Sequence, residues 1–250
     1  SIIMRRLFFT LFLLAVLVTA GCSTAAGIDN ADKQEAADPF VQPDMADDIL
    51  VISAVGDIMM HNTQLQAGSQ SASGDYDYAS FFTHVKPLLG ASDLAIGNLE
   101  TTFAGKEATY SGYPRFNTPD ALAFNLKNAG FQVVTTANNH CLDKGQQGLF
   151  RTLDCLDAAG LLHTGTARSQ EESDRILLVE RKGVNIAILS YTFGTNMLYP
   201  EKDKQFSVNY LDPDQIIERI KKARSEGAKL VIVALHFGVE YQPYPNAEQE

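Results

Sequence analysis

The chain has 250 residues, 45% of them apolar, with 20 basic and 30 acidic side chains and a formal net charge of −10. That is one large domain or two small ones with enough apolar surface for a core, which excludes wholesale disorder. Nine prolines, 18 glycines and three cysteines exclude collagen-like repeats and a disulfide scaffold, and an acidic chain without a Lys/Arg cluster is no nucleic-acid binder.

Met4 is a plausible start, followed by Arg5-Arg6 and a 12-residue run, Leu7 to Val18, whose only polar member is Thr10. A spanning helix needs about 20 apolar residues, so the run reads as the core of a signal peptide. The following Thr19-Ala20-Gly21-Cys22 resembles the lipobox of bacterial lipoproteins, which implies acylation at Cys22 and a leader over residues 1–22. Thr19 departs from the usual Leu, Val or Ile, and the plainer alternative is an uncleaved anchor. Loss of Arg5 and Arg6 would leave 18 basic residues against 30 acidic ones, moving the charge from −10 to −12. Residues 23–48 are acidic, rich in alanine and without apolar periodicity, as in a flexible tether. The folded domain is expected over 49–250, outside the cytoplasm and held to the bacterial cell membrane by the lipid.

Four continuous apolar runs then end in polar motifs. Ile49 to Val55 meets Gly56-Asp57, Asp93 to Ile96 meets Gly97-Asn98-Leu99-Glu100, Phe131 to Thr136 meets Ala137-Asn138-Asn139-His140, and Lys229 to Leu235 meets His236. Runs of this kind predict strands buried on both faces. Helices are predicted from Thr118-Pro119-Asp120 to Gly130, over Gly145 to Ala159, and from Asp212 to Gly227 with Ile216, Ile217 and Ile220 on one face. Arg175 to Tyr191 predicts a hairpin around Lys182-Gly183. The pattern is α/β, a mixed central sheet flanked by helices.

Ligands of open α/β folds bind at the carboxyl ends of strands, where Asp57, Asn98, Glu100, Asn139, His140 and His236 all fall. Carboxylate, imidazole and amide oxygen are ligands for zinc, manganese or iron(II), and two such ions about 3.5–4 Å apart catalyse hydrolysis. Asp57, Glu100, Asn139 and His236 are the candidate metal ligands. His140 is the candidate general acid. Each has a plainer reading: a turn aspartate, a loop cap, a hydrogen-bonded Asn-His turn and a core histidine. Tyr110, Tyr113, Arg115 and Phe116 occupy a long loop after Glu100, from which Arg115 could meet an anionic substrate, as Asn98 could from its strand end. His84 and His163 read as structural, and His61 stays open. Cys141 and Cys155 read as a possible extracytoplasmic pair or, for Cys155, a buried thiol; a Cys141 nucleophile has no support.

Four stretches, "AVGDIMM" from Ala54, "AIGNLETTFAG" from Ala95, "TTANNHCLDKGQQGL" from Thr135 and "LHFGVEYQPYP" from Leu235, resemble the bacterial capsule-synthesis CapA (poly-γ-glutamate capsule, PGA-cap) family. The resemblance implies a calcineurin-like metallophosphatase fold of four layers, α/β/β/α. It also implicates Asp57, Glu100, Asn139, His140 and His236 in a site for one or two divalent ions, with His140 beside the metal ligands rather than among them. The implied role is in making or exporting an anionic surface polymer, alongside membrane synthase or export proteins. Two departures stand out. Met59 occupies the place of the histidine two residues after the first aspartate, and the family's last signature, near "GHHPH", is missing before Glu250, so a C-terminally incomplete domain is expected. A metal-dependent hydrolase, a non-catalytic accessory protein and a solute-binding lipoprotein of two hinged lobes remain as rivals. A polyanionic substrate would require a local basic patch on this acidic chain.

Overall fold

A computed structural model describes residues 49–70 and 73–250. The expected leader (1–22), tether (23–48) and lipidated Cys22 lie outside the described residues. Among those described, no helix is long and apolar enough to cross a membrane.

The elements in chain order are β1 (Ile52–Ile58), α1 (Asn62–Gly68), β2 (Ser69–Gln70), β3 (Asp75–Tyr76), α2 (Lys86–Gly90), β4 (Leu94–Leu99), α3 (Ala121–Ala129), β5 (Val133–Thr135), α4 (Gly145–Ala159), β6 (Leu162–Thr164), α5 (Gln170–Asp174), β7 (Leu177–Arg181), β8 (Val184–Thr192), α6 (Pro213–Ser225) and β9 (Leu230–His236). One sheet runs β1-β4-β5-β6, all parallel; a second runs β7-β8-β9, with β7 antiparallel and β9 parallel to β8. β2 and β3 form a separate short hairpin.

Side-chain alternation stacks these into four layers. Leu94 and Ile96 of β4 meet Ile186 and Ile188 of β8 in a core between the sheets. On its other face β4 sets Ala95 and Leu99 against Leu122 and Leu126 of α3 and Leu149, Leu153 and Leu156 of α4. The intervening residues of β8, Ala187 and Leu189, pack with Ile216 and Ile220 of α6. The order is therefore α/β/β/α, and no second hinged lobe is found among the described residues. Ile217 faces away, 49% exposed, because adjacent helical residues point about 100° apart.

Helix punctuation follows the sequence with one exception. Asp212 caps α6, its carboxylate accepting from the Asp214 and Gln215 amides, and Gly130 and Gly160 end α3 and α4 with left-handed backbone. Asp120 makes no side-chain cap; both its oxygens accept from Arg151 at 2.8 Å.

Expected burial on both faces holds for β4 but not for β1 and β9. Each is an edge strand paired on one side among the described residues, and Val55 and Leu235 are exposed. Nor does Gly56 stop β1: the register shifts between Val55 and Asp57, so Gly56 is a bulge that re-aims Asp57 onto Asn98.

Gly165, with φ of +118°, packs against the turn that carries Asn139 and His140. A Cβ there would lie 2.6 Å from the Ala137 nitrogen. Gly165→Ala is expected to destabilise the fold by about 2–4 kcal/mol, combining positive-φ strain with a backbone clash. Urea unfolding checks this, and a loss under 1 kcal/mol would refute the close-packing argument.

Candidate metal centre

The parallel strands β1, β4 and β9 bring their carboxyl ends to one cavity of about 560 Å³. Asp57, Glu100, Asn139, His140 and His236 all line it, with Met59 and His61 beside them. Ligand atoms of Asp57, Glu100 and His236 lie within 4.8 Å of one another. His236 Nδ1 is 3.6 Å from Asp57 Oδ1 and Nε2 is 3.8 Å from Glu100 Oε1. Asn139 adds an amide oxygen 2.9 Å from His236 Nε2.

The two carboxylates sit in opposite electrostatic settings. The His236 imidazole beside Asp57 holds that carboxyl down at about 2. Burial, then the Asp57 charge, pushes Glu100 up to about 8. Glu100 is 4% exposed, and its Oε2 has no hydrogen-bond partner. A buried carboxylate with one oxygen lacking a donor, grouped within ligand reach of a second carboxylate and an imidazole, fits a borderline divalent cation.

Asn98 does not face the cavity as a free substrate contact. Its Nδ2 donates to Asp57 Oδ1 at 2.7 Å, and its Oδ1 accepts from Thr135 Oγ1 and Asn138 Nδ2, each at 3.2 Å. Its Nδ2 also lies 3.3 Å from His236 Nδ1, so with its amide engaged by four neighbours it positions Asp57. Arg115 is likewise displaced from its expected role: it is exposed and outside the cavity lining, whereas Tyr113 and Phe116 on either side of it belong to the wall. His61 packs at the mouth, stacked with Tyr113 and edge-on to Phe116, outside the carboxylate–His236 trio. His84 is exposed and His163 pairs with Asp157, both away from this cavity. Cys141 and Cys155 are buried and free, and burial pushes their thiols up to about 12, which suits neither to act as a nucleophile.

Two functional contacts escape the sequence reading. Asp143 Oδ2 lies 2.7 Å from His140 Nδ1 and accepts from the Phe116 amide at 2.7 Å, so the imidazole is fixed with Nε2 3.8 Å from Glu100 Oε1. The i,i+3 spacing of His140 and Asp143 was its only signal. Phe193 lies parallel to the His236 ring at 6.4 Å, and nothing in the sequence marks it.

A family model described as bacterial capsule synthesis protein PGA_cap matches residues 51–250. The chain belongs to this family. Among PGA_cap relatives, the PGA biosynthesis protein CapA of Bacillus subtilis (strain 168) is 31% identical over 212 residues, covering 82% of this chain and 53% of that protein. The capsule biosynthesis protein CapA of Bacillus anthracis is 29% identical over 211 residues, covering 80% and 49% respectively. The chain thus spans about half the length of these relatives. Among solved structures, the Haemophilus influenzae NAD nucleotidase superposes with a TM-score of 0.42 at 14% identity, over 76% of this chain and 34% of that one.

Proposed function

We propose that this PGA_cap protein is a metal-dependent hydrolase of capsule formation, acting on a phosphoester or amide of a surface polymer or its precursor. The observation that carries the reading is the Glu100 carboxylate, within ligand reach of Asp57 and His236 and with one oxygen buried without a hydrogen-bond partner. Those three residues and the Asn139 oxygen would hold the ion. A bound divalent ion supplies Lewis acidity, polarising a phosphoryl or acyl oxygen and acidifying water.

The chain itself handles the proton. Asp143 holds His140 through Nδ1 and leaves Nε2 toward the cavity, the arrangement of a general acid that protonates a leaving oxygen or nitrogen. Aromatic walls exclude water from one side of that nitrogen, since Phe116 meets the His140 ring edge-on at 4.7 Å. In the same reading the protein works outside the cytoplasm, tethered by a lipid on Cys22, beside membrane synthase or export proteins.

Metal analysis of the purified protein tests it. At least one manganese, zinc or iron per chain is expected, lost in His236→Ala. Less than one ion per chain, unchanged by that substitution, would overturn the hydrolase reading. A second reading, a non-catalytic accessory component, draws on Met59: a thioether lines the cavity where the family places an imidazole, and it is a poor ligand for a hard or borderline ion. Stoichiometric metal without hydrolysis of any phosphoester or amide would favour it.

A further inference from the structure

We infer that the cavity recognises an uncharged six-membered ring joined to a single anionic group, and not the interior of a polyanion. The inference rests on the hydrolase reading and names its substrate class. Its basis is the wall around the carboxylates. Tyr113 and Phe193 both line the cavity that holds the candidate metal centre, and both are more than half exposed, at 59% and 55%. Side chains so exposed contribute little to the core, yet each is held in place. Phe193 is set by its amide donating to the His236 carbonyl at 3.0 Å and by the parallel stack on that imidazole. Tyr113 is set by the stack on His61 and by a loop closed through paired Ser111 and Asn117 backbone bonds. Next to it the Gly112 amide donates to Asn62 Oδ1, and a Cβ on Gly112 would meet the Asn62 nitrogen at 2.6 Å. Rigid, solvent-facing aromatic planes are suited to ring faces, either the C–H face of a sugar or an aryl group.

Charge gives the other half of the argument. No lysine or arginine is found among the described residues lining the cavity, whereas Glu240 adds a negative charge to Asp57 and Glu100. A chain bearing a carboxylate on every unit would meet a like-charged wall with no cation beyond a bound ion. One anionic group at the metal and a neutral ring against the aromatic lining meets no such penalty. A volume of about 560 Å³ suits one or two rings.

Calorimetric titration of the metal-loaded full chain tests this with inert probes: methylphosphonate, phenylphosphonate, a glucosyl methylphosphonate and tetra-γ-glutamate. At least one ring-bearing phosphonate is expected to bind about tenfold tighter than methylphosphonate. Whether the aryl or the sugar probe does so identifies the source of the ring. Phe193→Ala and Tyr113→Ala are each expected to reduce that preference to about threefold or less with metal content unchanged, and Phe193→Tyr to keep it. Methylphosphonate binding without ring preference, or tetra-γ-glutamate as the tightest probe, overturns this inference and leaves the hydrolase reading standing. Failure of all four probes to bind at full metal occupancy overturns both.

Discussion

His140→Ala is expected to lower turnover of an alkyl phosphoester by about 10²–10⁴-fold while leaving the bound ion in place. The imidazole is buried at 5% exposure and is fixed by Asp143, itself anchored by the Phe116 amide, so its role is set by geometry rather than by chance orientation. Nε2 is free of any other hydrogen bond, its nearest carboxylate oxygen standing 3.8 Å away on Glu100. If His140 donates a proton to the leaving group, the loss shrinks for a substrate whose leaving group needs none. Comparing an alkyl ester with 4-nitrophenyl phosphate therefore separates acid catalysis from a structural effect. Equal losses on both substrates would argue against a proton-donor role. Asp143→Asn should show the same substrate dependence with a smaller loss, because the amide keeps the ring near its place without the carboxylate's charge.

Glu100→Gln is expected to abolish stoichiometric metal binding and, in the metal-free protein, to raise stability at high pH. The sign follows from the carboxyl being pushed from its ordinary 4.5 to about 8 by burial and the neighbouring Asp57 charge. A group whose folded value is raised contributes fully below pH 4.5 and loses that contribution as pH climbs through about 8. Glutamine, neutral throughout, escapes the loss. The variant should match wild type near pH 4 and exceed it by roughly 2–4 kcal/mol at pH 9 in the presence of a chelator. Urea unfolding at several pH values reads this directly. A variant less stable than wild type at pH 9 would mean that Glu100 is satisfied in the fold by contacts other than an ion.

The strand-end residues Asp57, Glu100, Asn139 and His236 were legible because a polar side chain at the end of an apolar run has few structural uses. The helix boundaries were legible through punctuation, where Pro213 and the glycines at 130 and 160 leave little freedom, and the four layers through the family resemblance. Less legible were effects that depend on a distant partner. Gly56 reads locally as a turn, and only its pairing with β4 turns it into a bulge. Asn98 looks like a ligand until Asp57, Thr135 and Asn138 are seen to engage both ends of its amide. Arg115 shares a loop with two wall residues, but backbone direction sends neighbouring side chains to different sides. Short elements such as α2, α5 and β6 offer too few residues for periodicity to register.

Because Asp57 and Glu100 extend from one sheet and His236 from the other, the candidate centre bridges two layers whose other contacts are apolar packing. An ion held there would act as a rivet between the halves of the sandwich. Its binding free energy would add to the cohesion of the layers, in proportion to RT ln(1 + [metal]/Kd). The same three candidate ligands would then decide how firmly the sheets close at their carboxyl end. Metal supply would then set the rigidity of the molecule.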